Sequence, residues 1–367
     1  MRVEPSSGGG AESFWRPKIA PVEVAADRPL WSVMIPTFDS STHLAECLES
    51  VLAQDPGSDQ MQIELVADHS DRCNAASVIA QIAPDRVQLF RQSIQLGNVG
   101  NFNTCLARAR GHLVHLLHDD DRVEPGFYEV MARPFAQSVA VGAAFCRYVA
   151  IDEDGRRHNL PPLEQGAAGV LPGWARKLAT GQRLQPPCMV VRRDVYESLG
   201  GFDERLRGYA EDWEMWVRIA ASYSVWYEPA PHAAYRIGTS SLSSGMLRTG
   251  RNVRNLRLAI ALNSTHFEPT EADAICRFAL RSTALTAFRR GKRSLIQRND
   301  RIAFWSQLRE GLASDSSPPV VIRAIPVAAL GAAWPALRLL RIPARRLRRG
   351  ARSVWSRRQH HTQTHGG

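Results

Sequence analysis

The sequence has no C-x-x-C pair, no Gly-Lys-Ser/Thr phosphate loop and no internal repeat. Its six cysteines, at 47, 73, 105, 146, 188 and 276, are scattered through 367 residues. That dispersion argues against a structural zinc cluster and a disulfide scaffold, and fits a reducing compartment. No uncharged apolar stretch approaches the roughly 20 residues of a membrane span, so an integral membrane protein is not expected. Nor does a basic segment with an apolar run open the chain, so no secretory leader is expected. Composition is ordinary for a globular protein, with 44% hydrophobic and 22% charged residues.

The formal net charge of +10 is unevenly placed. Residues 318–367 hold ten Arg, no Lys and no acid, so the other 317 residues balance at 36 basic and 36 acidic groups. The basicity therefore belongs to the tail, and a nucleic-acid-gripping catalytic domain is not expected. Four regions follow from composition and pattern. Residues 1–29 contain a Ser-Ser-Gly-Gly-Gly run and read as a flexible arm, with order beginning at Trp31. Residues 30–245 read as an α/β domain, 246–315 as a helical segment, and 316–367 as an Arg-rich amphipathic tail.

Inside 30–245 the apolar pattern alternates. Ser32 to Ile35 reads as a buried strand stopped by Pro36, and Leu44, Cys47, Leu48, Val51 and Leu52 recur at helical spacing. Ile63 to Ala67 reads as a strand ending in Asp68, followed by a helix over 74–82. A strand over Val87–Phe90, a helix from about Asn101 and a strand over His112–Leu117 complete a β-α-β-α-β-α-β series. Such alternation predicts a mostly parallel sheet flanked by helices. Right-handed crossovers then bring the carboxyl ends of the strands to one edge, where open α/β sheets bind ligands. Further on, Val139–Val149, Met189–Val191, Val225–Tyr227 and Ala233–Tyr235 read as strands, and 211–223 as a helix.

Each polar set at that edge admits two readings. Asp119-Asp120-Asp121 can bind a divalent cation that holds a diphosphate, or can be a solvated turn before the next helix. His118 is a ligand, a phosphate partner or strand-end packing; His115, inside the strand, reads as a core histidine. Asp68 can accept an N–H from a nucleotide base or cap a turn. Glu211-Asp212 opens a helix, where acids either complement the dipole or serve as a general base. Gln95 to Asn101 is a Gly/Asn loop suited to an anion.

Taken in order, these segments resemble family 2 glycosyltransferases of the GT-A fold, from about Ser32 to Ser243. Ser-Val-Met-Ile-Pro-Thr-Phe at 32–38 resembles the family's opening strand, and Leu44–Gln54 its first helix. Leu96–Asn103, Leu117–Asp121, Gly200–Glu204, Glu211–Trp213 and Tyr235-Arg236 resemble its later motifs. The resemblance implies an inverting transfer from a nucleotide-diphosphate sugar to a hydroxyl of a saccharide or lipid-linked saccharide. It implies Mg²⁺ or Mn²⁺ on Asp120, Asp121 and His118, the last standing where the metal motif ordinarily opens with Asp. Nucleotide contacts fall to Pro36, Thr37, Phe38, Asp68, Asn98 and Asp119, and the catalytic role to Asp212 with Glu211. A catalytically impaired nucleotide-binding protein of the same fold is the alternative. In the tail, residues 324–337 are apolar but too short to span, and Arg338 to Arg358 follow. That order implies contact with an anionic membrane, peripheral and on the cytoplasmic face, with nucleic acid as the competing partner.

Overall fold

The computed structural model describes residues 15–23, 27–39, 42–70, 74–238 and 242–339. Residues 1–14, 340–367 and four short stretches lie outside it, and with them the start of the arm and most of the Arg-rich tail. The expected alternation is present as β1 (Trp31–Thr37), α1 (Leu44–Leu52), β2 (Met61–Ala67), α2 (Ala75–Ile82), β3 (Gln88–Arg91), α3 (Gly97–Arg108) and β4 (Leu113–Leu116). There follow β5 (Arg122–Val123), α4 (Phe127–Gln137), β6 (Val141–Ile151), β7 (Gly169–Val170), α5 (Trp174–Ala179), β8 (Met189–Arg192), α6 (Arg193–Leu199), α7 (Glu211–Ser222) and β9 (Ser224–Arg236). Five helices close the described chain: α8 (Leu242–Thr249), α9 (Arg251–Ser264), α10 (Pro269–Arg298), α11 (Arg301–Ser314) and α12 (Pro318–Leu339).

All the strands join one sheet in the order β3-β2-β1-β4-β8-β6-β9-β5, with β7 on β9. Neighbours among β3, β2, β1 and β4 run parallel, as do β6 and β9, whereas β8 runs antiparallel between β4 and β6. Every residue of β1 and β2 is buried, and their polar members bond one another: Ser32 donates to Gln62 at 2.6 Å and Gln62 to Glu64 at 2.8 Å. β1 does not stop at Pro36: Pro36 pairs with Val66 and Thr37 with Ala67. The two strands predicted over 225–235 are one strand, β9, whose register on β6 shifts twice near Arg147. Gly111 precedes β4 because a Cβ there would strike the Trp31 backbone.

This register sets the site. Asp68 donates its N–H to the Thr37 carbonyl at 2.9 Å, and Leu117 donates to Met34 at 3.0 Å. The ends of β1, β2 and β4 thus leave the sheet side by side, as the edge rule requires.

Two compact units divide the chain: residues 1–244 with 255–279, and 245–254 with 280–367. The first contains the sheet, and residues 15–23 are docked on it rather than free. The Trp15 and Pro17 carbonyls accept N–H groups from Glu204 (2.9 Å) and Gly201 (2.8 Å), and Ile19 is buried. Arg16 pairs with Asp203 (3.2 Å) and Glu214 (3.0 Å), two carboxylates with no side-chain exposure. The flexible-arm expectation fails here because a short apolar and basic segment follows the glycine run. In the second unit, Ala284, Phe288, Leu295, Phe304, Leu308, Val320, Ala324 and Trp334 form one core. Helix α12 runs unbroken through Pro326, Pro335 and Arg323. The apolar segment is therefore longer than the uncharged 324–337 stretch: residues 318–337 have mean hydropathy 1.7 and are long and apolar enough to cross a membrane by length and composition.

Arg16→Ala removes one cation from a buried acidic pair, a loss of about 1–3 kcal/mol. The expected result is a lower melting temperature; an unchanged melting curve would mean that the N-terminal segment contributes nothing to the fold.

Candidate active site

The acidic turn joins β4 to β5. Asp119 accepts a hydrogen bond from the Thr37 hydroxyl, tying the ends of β1 and β4 together. Asp121 is buried; one oxygen accepts the Arg236 backbone N–H at 2.8 Å, and the other has no partner among the described residues. His118 stacks on Phe102 with ring centroids 5.2 Å apart, and its Nε2 likewise lacks a partner. Burial lowers the His118 pKa to about 4, which leaves the imidazole neutral at physiological pH with a lone pair to offer. Burial also raises the carboxyls of Asp120 and Asp121, and for Asp121 the Asp120 charge adds to the rise.

One ligand atom from each of His118, Asp120 and Asp121 lies within 4.8 Å of the others. Two orphaned buried acceptors, one imidazole nitrogen and one carboxylate oxygen, beside the Asp120 carboxylate are a donor set that a divalent cation satisfies. Two carboxylates with one imidazole suit Mn²⁺ as well as Mg²⁺.

Arg236 organises this turn from the end of β9. Its Nε donates to the Asp120 carbonyl at 2.7 Å, Nη1 to the Asp152 carbonyl at 2.7 Å, and Nη2 to Glu46 on α1. Glu46 is held below the ordinary carboxylate range because Arg122 and Arg236 outweigh its burial.

The second acidic set opens α7. Ala210, directly before it, is left-handed with φ 71° and ψ 8°, a conformation that costs a non-glycine residue about 1 kcal/mol. Glu211 accepts from Asn98 Nδ2 at 2.5 Å on one oxygen, while its other oxygen is buried without a partner among the described residues. Asp212 accepts from Gln182 Nε2 at 2.5 Å and from the Trp213 N–H at 2.8 Å. Burial raises both carboxyls, and the Asp212 charge raises Glu211 further. Here desolvation outweighs the helix N-terminus, which would lower them. Behind the pair, Trp213 Nε1 donates to the Leu178 carbonyl at 2.8 Å, and Glu214 pairs with buried Arg218 at 3.0 Å.

Helix α3 reaches both sets: Phe102 stacks on His118, and Asn98, one turn earlier, bonds Glu211. The Tyr235 hydroxyl is kept protonated by burial and by the charges of Asp121, Asp212 and Asp120. The Cys188 thiol is pushed up to about 12 by burial, with Asp121 and Asp212 contributing. Asp68 joins through a loop. Its two oxygens accept the N–H groups of Leu96 (2.6 Å) and Gly97 (2.8 Å), next to the Asn98 that holds Glu211. The capping reading of Asp68 therefore matches the structure, because its carboxylate is turned to its own chain. Pro36 lies inside β1, Thr37 ends it, and the Phe38 ring is exposed beyond it. His115 is a core residue, with Nε2 3.0 Å from the Pro187 carbonyl. Gln182, which orients Asp212, carries no sequence signal, and Arg236, part of the Tyr235-Arg236 motif, has no role that its sequence context marks.

Glu211 and Asp212 hold protons more tightly folded than unfolded. Their ionisation therefore destabilises the fold: stability is fullest below the unfolded carboxylate value of about 4 and is lost as pH rises through the raised folded values. Glu211→Gln keeps the acceptor for Asn98 and removes the charge. It should raise the melting temperature near pH 8 by roughly 2–4 °C per kcal/mol, with the gain vanishing near pH 4. An equal gain at both pH values would discount the buried charge.

Residues 32–200 match the family described as Glycosyl transferase family 2, and residues 183–263 the one described as Glycosyltransferase like family 2. An uncharacterized protein of Mycobacterium tuberculosis is 29% identical over 246 residues, 63% of this chain and 75% of that protein. The O-antigen biosynthesis protein RfbC of Myxococcus xanthus is 25% identical over 206 residues, 53% of this chain but only 16% of that protein. Among solved structures, S. aureus TarS 1-349 superposes with a TM-score of 0.57 at 15% identity, covering 84% of this chain and 87% of that one. The same protein in complex with UDP-GlcNAc superposes with a TM-score of 0.56 at 15% identity, covering 77% and 90%. The fold is of the GT-A type, and over residues 32–263 the chain belongs to family 2 of the glycosyltransferases.

Proposed function

We propose that the protein transfers a hexose from a nucleotide-diphosphate sugar to a hydroxyl of a saccharide or lipid-linked saccharide, inverting the anomeric carbon in one in-line displacement. The observation that carries this reading is that one helix, α3, touches both acidic sets, with Asn98 bonded to Glu211 and Phe102 stacked on His118. One set suits a cation and a diphosphate; the other suits a hydroxyl that must lose a proton. The complex of TarS with UDP-GlcNAc supports a nucleotide-sugar donor for this fold, and the O-antigen role of RfbC supports a polysaccharide product.

Asp212 acts as the general base. As the acceptor oxygen forms its bond to the anomeric carbon, its proton passes to the Asp212 carboxylate, and the bond from that carbon to the diphosphate oxygen breaks with its electron pair. Gln182 and the Trp213 N–H orient this carboxylate, and its raised pKa makes it a stronger base than an exposed aspartate. Glu211, held by Asn98, supports it from the adjacent position. His118, Asp120 and Asp121 would hold Mg²⁺ or Mn²⁺, which supplies positive charge against the departing diphosphate. Phe38 offers an exposed ring beside Pro36 and Thr37 for the base, and Asp68 shapes the nucleotide side of the cleft by holding the Leu96–Asn98 loop. Arg338 to Arg358 suit an anionic leaflet, at about 1 kcal/mol per basic residue near the surface, which would bring the site to a lipid-linked acceptor.

Asp212→Asn should lower kcat by about 10²–10⁴-fold while leaving nucleotide-sugar binding intact in a thermal-shift assay. Wild-type turnover in this variant would remove Asp212 from the base role. Absence of any turnover or nucleotide-sugar stabilisation in the wild-type protein would favour the catalytically impaired reading. Asp120→Asn should weaken Mn²⁺-induced thermal stabilisation of the protein without donor, a readout separate from turnover.

A further inference from the structure

Helix α12 presents a solvent face that a soluble protein does not ordinarily carry. Its buried positions, Val320, Ala324 and Trp334, pack with Phe304 and Leu308 of α11. Gly331 sits over the Phe304 ring, where a Cβ would clash, so the two helices approach closely. On the exposed positions a surface helix normally shows charge. Here Val321, Ile322 and Ile325 are exposed, the two isoleucines by 65% and 61%, and Arg323 is the single charge from 318 to 337. Helix α11 adds Ile302 and Trp305, exposed by 58% and 40%.

We infer that α11 and α12 form a membrane seat that lies in the plane of an anionic leaflet, with α12 as the inserted helix. This deepens the membrane reading of the Arg-rich tail and rests on it for the sign of the surface. Three observations converge. On α12 the exposed Val321, Ile322 and Ile325 recur at i, i+1 and i+4 and so share one apolar face, the kind that marks an interaction surface. Immediately beyond it, residues 338–358 carry nine Arg and no acid, while residues 1–317 balance in charge, so the charge beyond the helix complements anionic headgroups. The in-plane arrangement follows from the neighbours. Helix α11, against which α12 is packed, also carries Gln307, Arg309 and Glu310, with Glu310 paired to Arg309 and Arg254. Those groups do not enter hydrocarbon at acceptable cost, so α12 cannot cross while it keeps its core contacts. A helix with one apolar face and one occupied face rests at the headgroup boundary, with Arg323 reaching outward along its own stem.

The test is flotation of the full chain with phosphatidylglycerol vesicles and with phosphatidylcholine vesicles. Wild type should float with the anionic vesicles and much less with the neutral ones. Ile322→Glu with Ile325→Glu should cut the bound fraction about tenfold or more while the melting temperature and turnover of a soluble acceptor stay unchanged. Trp305→Phe should lower the quenching that brominated lipids produce, most strongly for bromines near the headgroups, leaving only what Trp355 of the tail contributes. Undiminished flotation of the double variant with loss on deleting 340–367 would overturn the seat but keep the tail reading. Quenching strongest at the bilayer centre would overturn the in-plane arrangement. A change of oligomeric state in the double variant, or RNA binding that it abolishes without affecting flotation, would assign the face to another partner. Turnover of a soluble acceptor reads the transferase proposal separately.

Discussion

One buried guanidinium fixes the chemistry of the cleft. Arg236 ends a long strand and reaches three other parts of the chain: the acidic turn after β4, the loop after β6 and the helix after β1. Carboxylates on a tight turn repel one another and would splay apart in water. Here the Arg236 side chain binds the turn's carbonyl, and its N–H binds one oxygen of Asp121, so the remaining oxygen is left aimed and unsatisfied. The turn is held by its backbone, and its ligand atoms are left for something else. That division of labour is what allows three concentrated negative charges to exist in a folded protein.

The Glu211–Asp212 pair is built on the opposite principle. Nothing cationic neutralises it among its hydrogen-bond partners; Asn98, Gln182 and a backbone amide orient it, and burial raises both acids. The fold carries this cost by anchoring α7 from behind, where Glu214, Arg218, Asp203 and Arg16 form a buried ion network. A strained left-handed Ala210 sets the direction in which the first turn leaves. Stability is sacrificed at the front of the helix and recovered at its back, a pattern expected where catalytic groups must be both buried and charged.

Much of this was legible in the sequence. Apolar runs such as Val33–Ile35 and Ile63–Ala67 end abruptly in Asp or Thr, and parallel topology does the rest, because it gathers strand ends at one edge. His118, Asp120 and Asp121 stand out at the end of a strand and Glu211 and Asp212 at the start of a helix, and α3 touches both sets through Phe102 and Asn98. What was hidden depended on contacts distant in sequence. Gln182 sits 30 residues before the Asp212 it orients, in a segment with no periodic signal. Arg16 lies behind a glycine run that resembles a linker, yet it pairs with residues almost two hundred positions away. Asp68 had two open readings because the same side chain caps loops and binds ligands; only the positions of the Leu96 and Gly97 amides separate them. Helix α12 was underestimated because its prolines and one arginine interrupt the pattern without interrupting the helix.

Cys188 gives the cleft an unexpected chemical character. Its sulfur is fully buried, and burial, with Asp121 and Asp212 contributing, pushes the thiol up to about 12. Held as a protonated thiol, Cys188 is a small apolar filler beside the acids and not a nucleophile.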